Sequence, residues 1–335
     1  MMRAVVPIAA RVCVRYGVAT PCVGATCRRA TTVVRHTTAT AATRAPTPTP
    51  RRTASSSSSS SSGGTGGVRV RPLLPPIQTV AKPRAVLGVV CLPTDQLVEV
   101  EVSAFVAAVP GGGVEWRMTR LEVPGGEELT GETYRTAAGN VQRAAACLLP
   151  VGVVTAVSLS CTSMSLALGT EAVKTSLQVA HPAAAVTNMA EAVVAALAAL
   201  RMKRVALVTP YNDELHATTV AMLTGVGVVV AAEAALGLSY DVEISAVSGE
   251  HLARCAEVVV EEAQRSNGSG GGVDGVDGVL LCCSSMRCTA PGFITALEAR
   301  VGVPVVTSNQ AQLWRLLRLS GVMDVVPGYG RLLHI

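Results

Sequence analysis

A chain of 335 residues has room for two ordinary domains, which run about 100–200 residues each. Hydrophobic residues make up 49%, charged residues 15% and aromatics only 3%, enough for a large core that must be aliphatic. The net charge of +5 is unevenly placed: residues 1–84 hold thirteen of the 28 basic residues and no acid, leaving fifteen basic against 23 acidic residues, roughly −8, in the rest. An acidic body excludes the lasting positive face that nucleic-acid binding needs.

The Arg-, Ser- and Ala-rich, acid-free leader predicts a transit peptide, with chloroplast and mitochondrion both open. Its apolar stretch, residues 4–10, is too short to span a membrane and is followed at once by Arg11 and Arg15. Residues 53–67 read as a flexible Ser/Gly linker. Residues 1–84 are therefore set apart from the folded body.

From Ala85 the pattern alternates strand and helix. Expected strands run over 85–92, 151–160, 204–209, 225–235, 278–282 and 303–306. Expected helices run over 189–200, 213–224, 251–264, 293–300 and 310–319. The near-continuous Val/Ala/Leu runs suit parallel strands covered on both faces, and repeated strand–helix units predict a doubly wound α/β sheet. Functional loops then lie at the strands' C-terminal ends. Residues 266–278 read as a low-complexity solvent loop.

The chain carries an internal echo. Leu159-Ser160-Cys161-Thr162-Ser163 recurs as Leu281-Cys282-Cys283-Ser284-Ser285, each at a strand end and before an expected helix start. A helix N-terminus favours thiolate, which makes Cys161 and Cys283 candidate nucleophiles or bases. Cys13, Cys22 and Cys27 belong to the leader. The other seven have neither disulfide-framework nor zinc spacing, and Cys91, Cys147 and Cys255 read as small buried hydrophobes. His216 reads as a surface residue without partners, and Arg287 either as an attractor for an acidic substrate or as a half-exposed helix-end arginine.

Seven stretches in order resemble the aspartate/glutamate racemase superfamily: LPTDQLVE (92–99), SCTSMSLALG (160–169), RVALVTPYNDEL (204–215), LGLSYDVEISAVS (236–248), CCSSMR (282–287), GVPVVTSNQAQLWRLLRLSGV (302–322) and PGYGRLL (327–333). The likeness falls in the branch of maleate isomerase and arylmalonate decarboxylase, nearest to ectoine-utilisation racemase-like proteins. It implies two pseudo-symmetric flavodoxin-like domains, 85–187 plus 308–335 and 188–307, with parallel sheets and the active site in the cleft between them. It further implies a homodimer, no cofactor or metal, no nucleic-acid or membrane partner, and a small carboxylate substrate.

By the same resemblance Cys161 and Cys283 are the catalytic pair, and Cys282 stands where the family usually has Ser or Ala. Cys288, past the motif, reads as an incidental, accessible thiol. Thr162, Ser163, Ser284 and Ser285 are expected to steady charge on the substrate carboxylate. Thr94 and Asp95 are expected at the site, with helix capping as the alternative for Asp95. Tyr211 is expected to reach the carboxylate. Thr187 and Asn188 are expected either to touch substrate or to cap the next helix, and Ser308 and Asn309 to cap the last one.

Two thiols suit a racemase because inversion next to a carboxylate removes a proton from one face and returns one to the other. Cis–trans isomerisation through cysteine addition is the alternative reading. Decarboxylase relatives keep only the second cysteine, which argues against decarboxylation. A Cys/His hydrolase lacks a matching histidine motif, and a nucleotide-binding module lacks a GxGxxG or GxxxxGK[ST] loop. A non-catalytic anion-binding protein would not require two thiols.

Overall fold

The computed structural model describes residues 79–124, 126–266 and 275–335. The expected transit peptide, the 53–67 linker and most of the 266–278 loop lie outside the described residues. From Ala81 onward the chain forms one compact unit.

Strands form where β-branched and aliphatic residues run without polar alternation, since both faces of a parallel sheet are covered. In β1 (Ala85–Cys91) all seven residues are buried, as are all five of β3 (Ala156–Ser160). With β2 (Val114–Arg120) and β4 (Ala185–Asn188) they make a wholly parallel sheet in the order β2-β1-β3-β4. Its helices are α1 (Val98–Ala107), α2 (Gly131–Thr136), α3 (Asn140–Ala146), α4 (Thr162–Leu168), α5 (Thr170–Ala180) and α6 (Met189–Ala199).

The second half repeats this plan. β5 (Arg204–Tyr211), β6 (Val229–Leu238), β7 (Gly278–Leu281) and β8 (Val305–Thr307) form a parallel sheet in the order β6-β5-β7-β8. Its helices are α7 (Asp213–Gly225), α8 (Asp241–Ala246), α9 (Gly249–Ser266) and α10 (Phe293–Val301), while α11 (Ser308–Leu319), which follows β8, packs mainly on β3, β4 and β1 of the first sheet. The two strand orders coincide when β1, β2, β3 and β4 are laid on β5, β6, β7 and β8. Each is the 2-1-3-4 core of the flavodoxin-like arrangement, whose ligands sit where the winding reverses, between the first and third strands.

Side-chain alternation sorts the core into two layers. Leu87, Val89, Leu207, Leu280 and Val306 share one layer with α1, α6 and α11. Val90, Val157, Leu159, Val208, Val279 and Leu281 share the other with α3, α5, α9 and α10. Gly88, in β1, has no room for a side chain: a Cβ there would stand 2.7 Å from Val157 Cγ2 and 2.9 Å from Leu148 Cδ1.

Several boundaries differ from the sequence reading. The 151–160 strand starts only at Ala156, because Pro150 and Gly152 (φ 87°) turn the chain and leave Val151 and Val153 exposed. The 225–235 strand becomes Val229–Leu238, because Gly225 still belongs to α7 and Gly227 (φ 81°) makes the turn. No helix starts after Cys283: turns and bends follow it until Phe293.

Candidate active site

Cys161 and Cys283 occupy equivalent places, each at the C-terminal end of the third strand of its half. Cys161 ends β3 and is the N-cap of α4, with its sulfur accepting the Met164 N–H at 3.4 Å. Cys283 follows β7, and its sulfur accepts the Ser285 N–H at 3.4 Å in a turn. Both thiols are buried in the same core layer, at 3% and 4% exposure, and Cys161 is among the charges that raise Cys283. The topology thus brings two cysteines far apart in sequence into one core layer.

Burial decides the protonation of both. It pushes Cys161 up to about 12, against weaker downward pulls from the Ser163 hydroxyl and the Met164 N–H, while the Asp241 and Asp95 charges push the same way as burial. Burial and then Asp241 hold Cys283 well above the usual thiol range, only partly offset by the Ser285 N–H and Tyr211. The expected helix-favoured thiolates are therefore corrected to neutral thiols. A helix end contributes about 0.3–1 kcal/mol at ordinary sites, whereas full burial moves a pKa by up to 3–5 units. At Cys283 the expected helix is absent altogether.

Two side chains not singled out from the sequence join the pair. Tyr134, on α2, is buried and shares a 2.9 Å hydrogen bond with the Ser163 hydroxyl, which lies 3.5 Å from the Cys161 sulfur. Its hydroxyl is held well above its usual pKa, first by burial and then by Cys161, with Asp241 and Cys283 also contributing. Asp241 opens α8, is buried, and accepts the hydroxyls of Thr94 at 2.5 Å and Ser285 at 2.6 Å. Asp241 stands inside the 236–248 stretch of the resemblance, which was the available signal; Tyr134 had only its rarity as one of five tyrosines.

The remaining expected residues divide. Tyr211, at the end of β5, is 1% exposed; its hydroxyl makes no well-formed hydrogen bond, yet it lies on the Cys283 side and helps offset that thiol's upward shift. Asp95 is buried and caps α1, accepting the N–H groups of Leu97 at 2.9 Å and Val98 at 3.0 Å, while its Oδ2 is buried without a partner. Thr162 turns from the thiols toward Ser308, at 3.0 Å. Ser284 offers its carbonyl to Asn309 at 2.8 Å.

Thr187 and Asn188 stand at the same sheet end as Cys161, but their polar atoms serve neighbouring helices: Asn188 accepts the Glu191 N–H and donates to the Thr170 carbonyl, and Thr187 donates to the Glu191 carboxylate. Capping of α11 falls to Thr307, which accepts the Gln310 N–H, rather than to Ser308 or Asn309. Asn309 instead donates to the buried Glu101 carboxylate at 2.6 Å.

Other readings are corrected. His216 is buried, not on the surface, sharing a 2.8 Å bond with Thr209 and standing 3.7 Å from Glu233, because β5 and β6 close over α7. Cys288 is buried rather than accessible, Cys147 is exposed rather than buried, and Cys255 is half-buried. Arg287 is exposed and donates to the Ser245 carbonyl at 3.0 Å; no helix ends there. Among the described residues no cluster of His, Cys, Asp or Glu could hold a metal ion, and no helix is long and apolar enough to cross a membrane.

Comparison with known proteins agrees with this fold. The chain is 33% identical over 147 residues to an arylmalonate decarboxylase of Bordetella bronchiseptica, covering 44% of this chain and 56% of that protein. The match thus spans little more than half of that relative. It is 28% identical over 256 residues to a maleate isomerase of Nocardia farcinica, covering 74% of this chain and 95% of that one. A glycine-to-cysteine, cysteine-to-serine double mutant of arylmalonate decarboxylase in its liganded form superposes with a TM-score of 0.62 at 27% identity, over 74% of this chain and 98% of the other. With residues 114–333 matching the arylmalonate decarboxylase family model, the chain belongs to that family, in its Asp/Glu racemase-like branch with the maleate isomerases.

Proposed function

We propose that the chain is a cofactor-independent, two-cysteine racemase or epimerase that moves a proton at the carbon next to a small carboxylate. The coarser statement, a cysteine-based isomerase or decarboxylase without a cofactor, follows from its relatives. The finer reading is carried by one observation: Cys161 and Cys283 come from equivalent strand ends of two repeated halves and are buried in one core layer.

In this reading one sulfur, as thiolate, takes the α-proton while the opposite thiol returns a proton to the other face. Positioned acid–base transfer of this kind contributes about 10²–10⁴-fold. Negative charge builds on the substrate carboxylate, and the Tyr211 hydroxyl, left without a well-formed bond, is a ready donor for it. Because both thiols are neutral at rest, one must first lose its proton to solvent, so turnover rises with pH.

A second reading has one specific support: the similarity to a maleate isomerase covers 95% of that protein. There Cys161 would add to the double bond of an unsaturated diacid and leave after rotation. Proton NMR of candidate carboxylates in D₂O with the full chain separates the two. Loss of the α-proton signal supports proton transfer, and conversion of maleate to fumarate without solvent exchange supports the second reading. Release of carbon dioxide from an arylmalonate would overturn both.

A further inference from the structure

The helix α11 is joined to one half of the fold and packed on the other: it leaves β8 of the second sheet and lies on β3, β4 and β1 of the first. Its first turns reach the loops of both cysteines. Ser308 and Gln312, four positions apart and so on one face, each hold a neighbour of Cys161. The Ser308 and Thr162 hydroxyls stand 3.0 Å apart, and Gln312 Oε1 accepts the Ser160 hydroxyl at 2.9 Å. Asn309, turned about 100° round the helix from Ser308, serves the other loop, donating to the Ser284 carbonyl beside Cys283 at 2.8 Å. All of these residues are buried.

Buried polar groups are usually paired, so each bond alone would mean little. Their distribution decides. Ser160, Thr162 and Ser284, three of the four residues flanking the two sulfurs, are held by this one stretch of helix. The fourth, Cys282, receives only the long 3.8 Å contact from Ser308. The Asn309 amide is locked in orientation, because it also donates to Glu101 Oε2 at 2.6 Å. Glu101 Oε1 in turn accepts the Thr289 N–H at 3.1 Å, at the far end of the Cys283 loop. That loop has no helix behind its cysteine, so these tethers stand where an N-terminal turn holds Cys161.

We infer that Ser308, Asn309 and Gln312 are positioning residues through which α11 braces Cys161 and Cys283 against each other. Each sheet holds its own sulfur, whereas an element bonded to both loops sets the gap between them. For its consequence in turnover the inference rests on the proton-transfer reading above. A base on one face and an acid on the other serve one carbon only while their separation is kept, and a misplacement of about 1 Å can cost about 10²-fold.

The test uses the full chain with Ser308→Ala and Gln312→Met on the Cys161 side, and Asn309→Ala and Asn309→Leu on the Cys283 side. Ser320→Ala is the control: Ser320 ends α11 and pairs with the Thr155 hydroxyl at 2.9 Å, at the opposite end of β3 from Cys161. Alkylation by iodoacetamide at pH 9, mapped by mass spectrometry, reads each thiol separately. The first two variants are expected to speed labelling of Cys161 at least about tenfold, and the Asn309 variants that of Cys283, each leaving the other sulfur within about twofold. Turnover is read as proton exchange in D₂O with whichever of aspartate, N-acetylaspartate, maleate and phenylmalonate the parent exchanges. There kcat should fall at least about tenfold with KM within about threefold, and Ser320→Ala should change neither. Two variants on each side keep the test decisive when one fails to fold. Equal loosening of both sulfurs, an equal effect of Ser320→Ala, unchanged kcat or a loss carried by KM would overturn the inference and leave two-thiol chemistry standing. A parent that exchanges none of the four compounds would overturn the proton-transfer reading, and the labelling pattern alone then decides the brace.

Discussion

The backbone N–H of Met164 donates to the sulfur of Cys161 at 3.4 Å, so a thiol fills the N-cap position of α4 where serine, threonine or aspartate is usual. The bond stabilises a thiolate, but burial outweighs it and pushes the thiol up to about 12. Alkylation of Cys161 by iodoacetamide should therefore be slow at pH 7–8 and accelerate steadily into the alkaline range. Among the described cysteines, exposed Cys147 should react first at neutral pH. Mass-spectrometric mapping of labelled peptides against pH checks this. A Cys161 that labels as fast as Cys147 at pH 7 would show a resting thiolate and refute the argument from burial.

Ser163 couples Cys161 to Tyr134, with its hydroxyl 3.5 Å from the sulfur and 2.9 Å from the phenol oxygen. Ser163→Ala removes a pull that lowers the Cys161 pKa and leaves the buried Tyr134 hydroxyl without this partner. Stability should fall by about 1–3 kcal/mol, the cost of an unsatisfied buried group, and turnover by roughly tenfold or more. Tyr134→Phe removes the orphaned hydroxyl, so the double variant should be less destabilised than the sum of the singles. Urea unfolding of the four proteins gives the cycle; strict additivity would mean that the hydroxyls do not interact.

The parts legible in the sequence were those with local pattern. β1 is an unbroken apolar run, β5 has the apolar core VALV, and the cysteine echo marks equivalent strand ends. β2 escaped notice because an edge strand with one open flank reads as the polar VEWRMTR, and β4 because four residues are too few to show a period. Asp241 and Tyr134 were missed for another reason. Each reaches the thiols only through tertiary folding, from the β6–α8 turn and from the six-residue α2, where nothing nearby in sequence distinguishes a site residue from a cap. The thiolate expectation failed because sequence shows the helix start, while the depth of burial that outweighs it appears only in the fold.

Glu101 gives the fold a pH dependence separate from the thiols. This α1 carboxylate is 5% exposed and accepts the Thr289 N–H at 3.1 Å and the Asn309 amide at 2.6 Å. Burial raises its pKa from 4.5 to about 7, against those bonds. A raised acid favours the folded state while protonated, so its contribution is intact below about pH 4.5, declines between 4.5 and 7, and is fully lost above, a change of about 3 kcal/mol. Glu101→Gln should flatten this part of the stability profile. Urea unfolding at pH 5 and pH 8 measures it, and an equal loss in both proteins would exclude Glu101 as the source.

Cys282 and Cys283 are adjacent yet face opposite layers, which predicts opposite consequences of losing each. Cys282 packs with Leu280, Val306 and Ala311, and its sulfur accepts the Ser308 hydroxyl at a long 3.8 Å. Cys283 shares its layer with Cys161 and Tyr211. Burial pushes Cys282 up to about 11, and neither Asp241 nor Cys161 is among the groups that shift it most. Cys282→Ala should therefore cost about 1 kcal/mol of packing and leave turnover within a few-fold of the parent. Cys283→Ala and Cys161→Ala should each lower it by at least about 10³-fold, since one face of the substrate then lacks its proton donor or acceptor. Exchange rates in D₂O for the three variants, beside their melting curves, decide the matter. An inactive but folded Cys282→Ala protein would move the second sulfur to the other layer and break its pairing with Cys161.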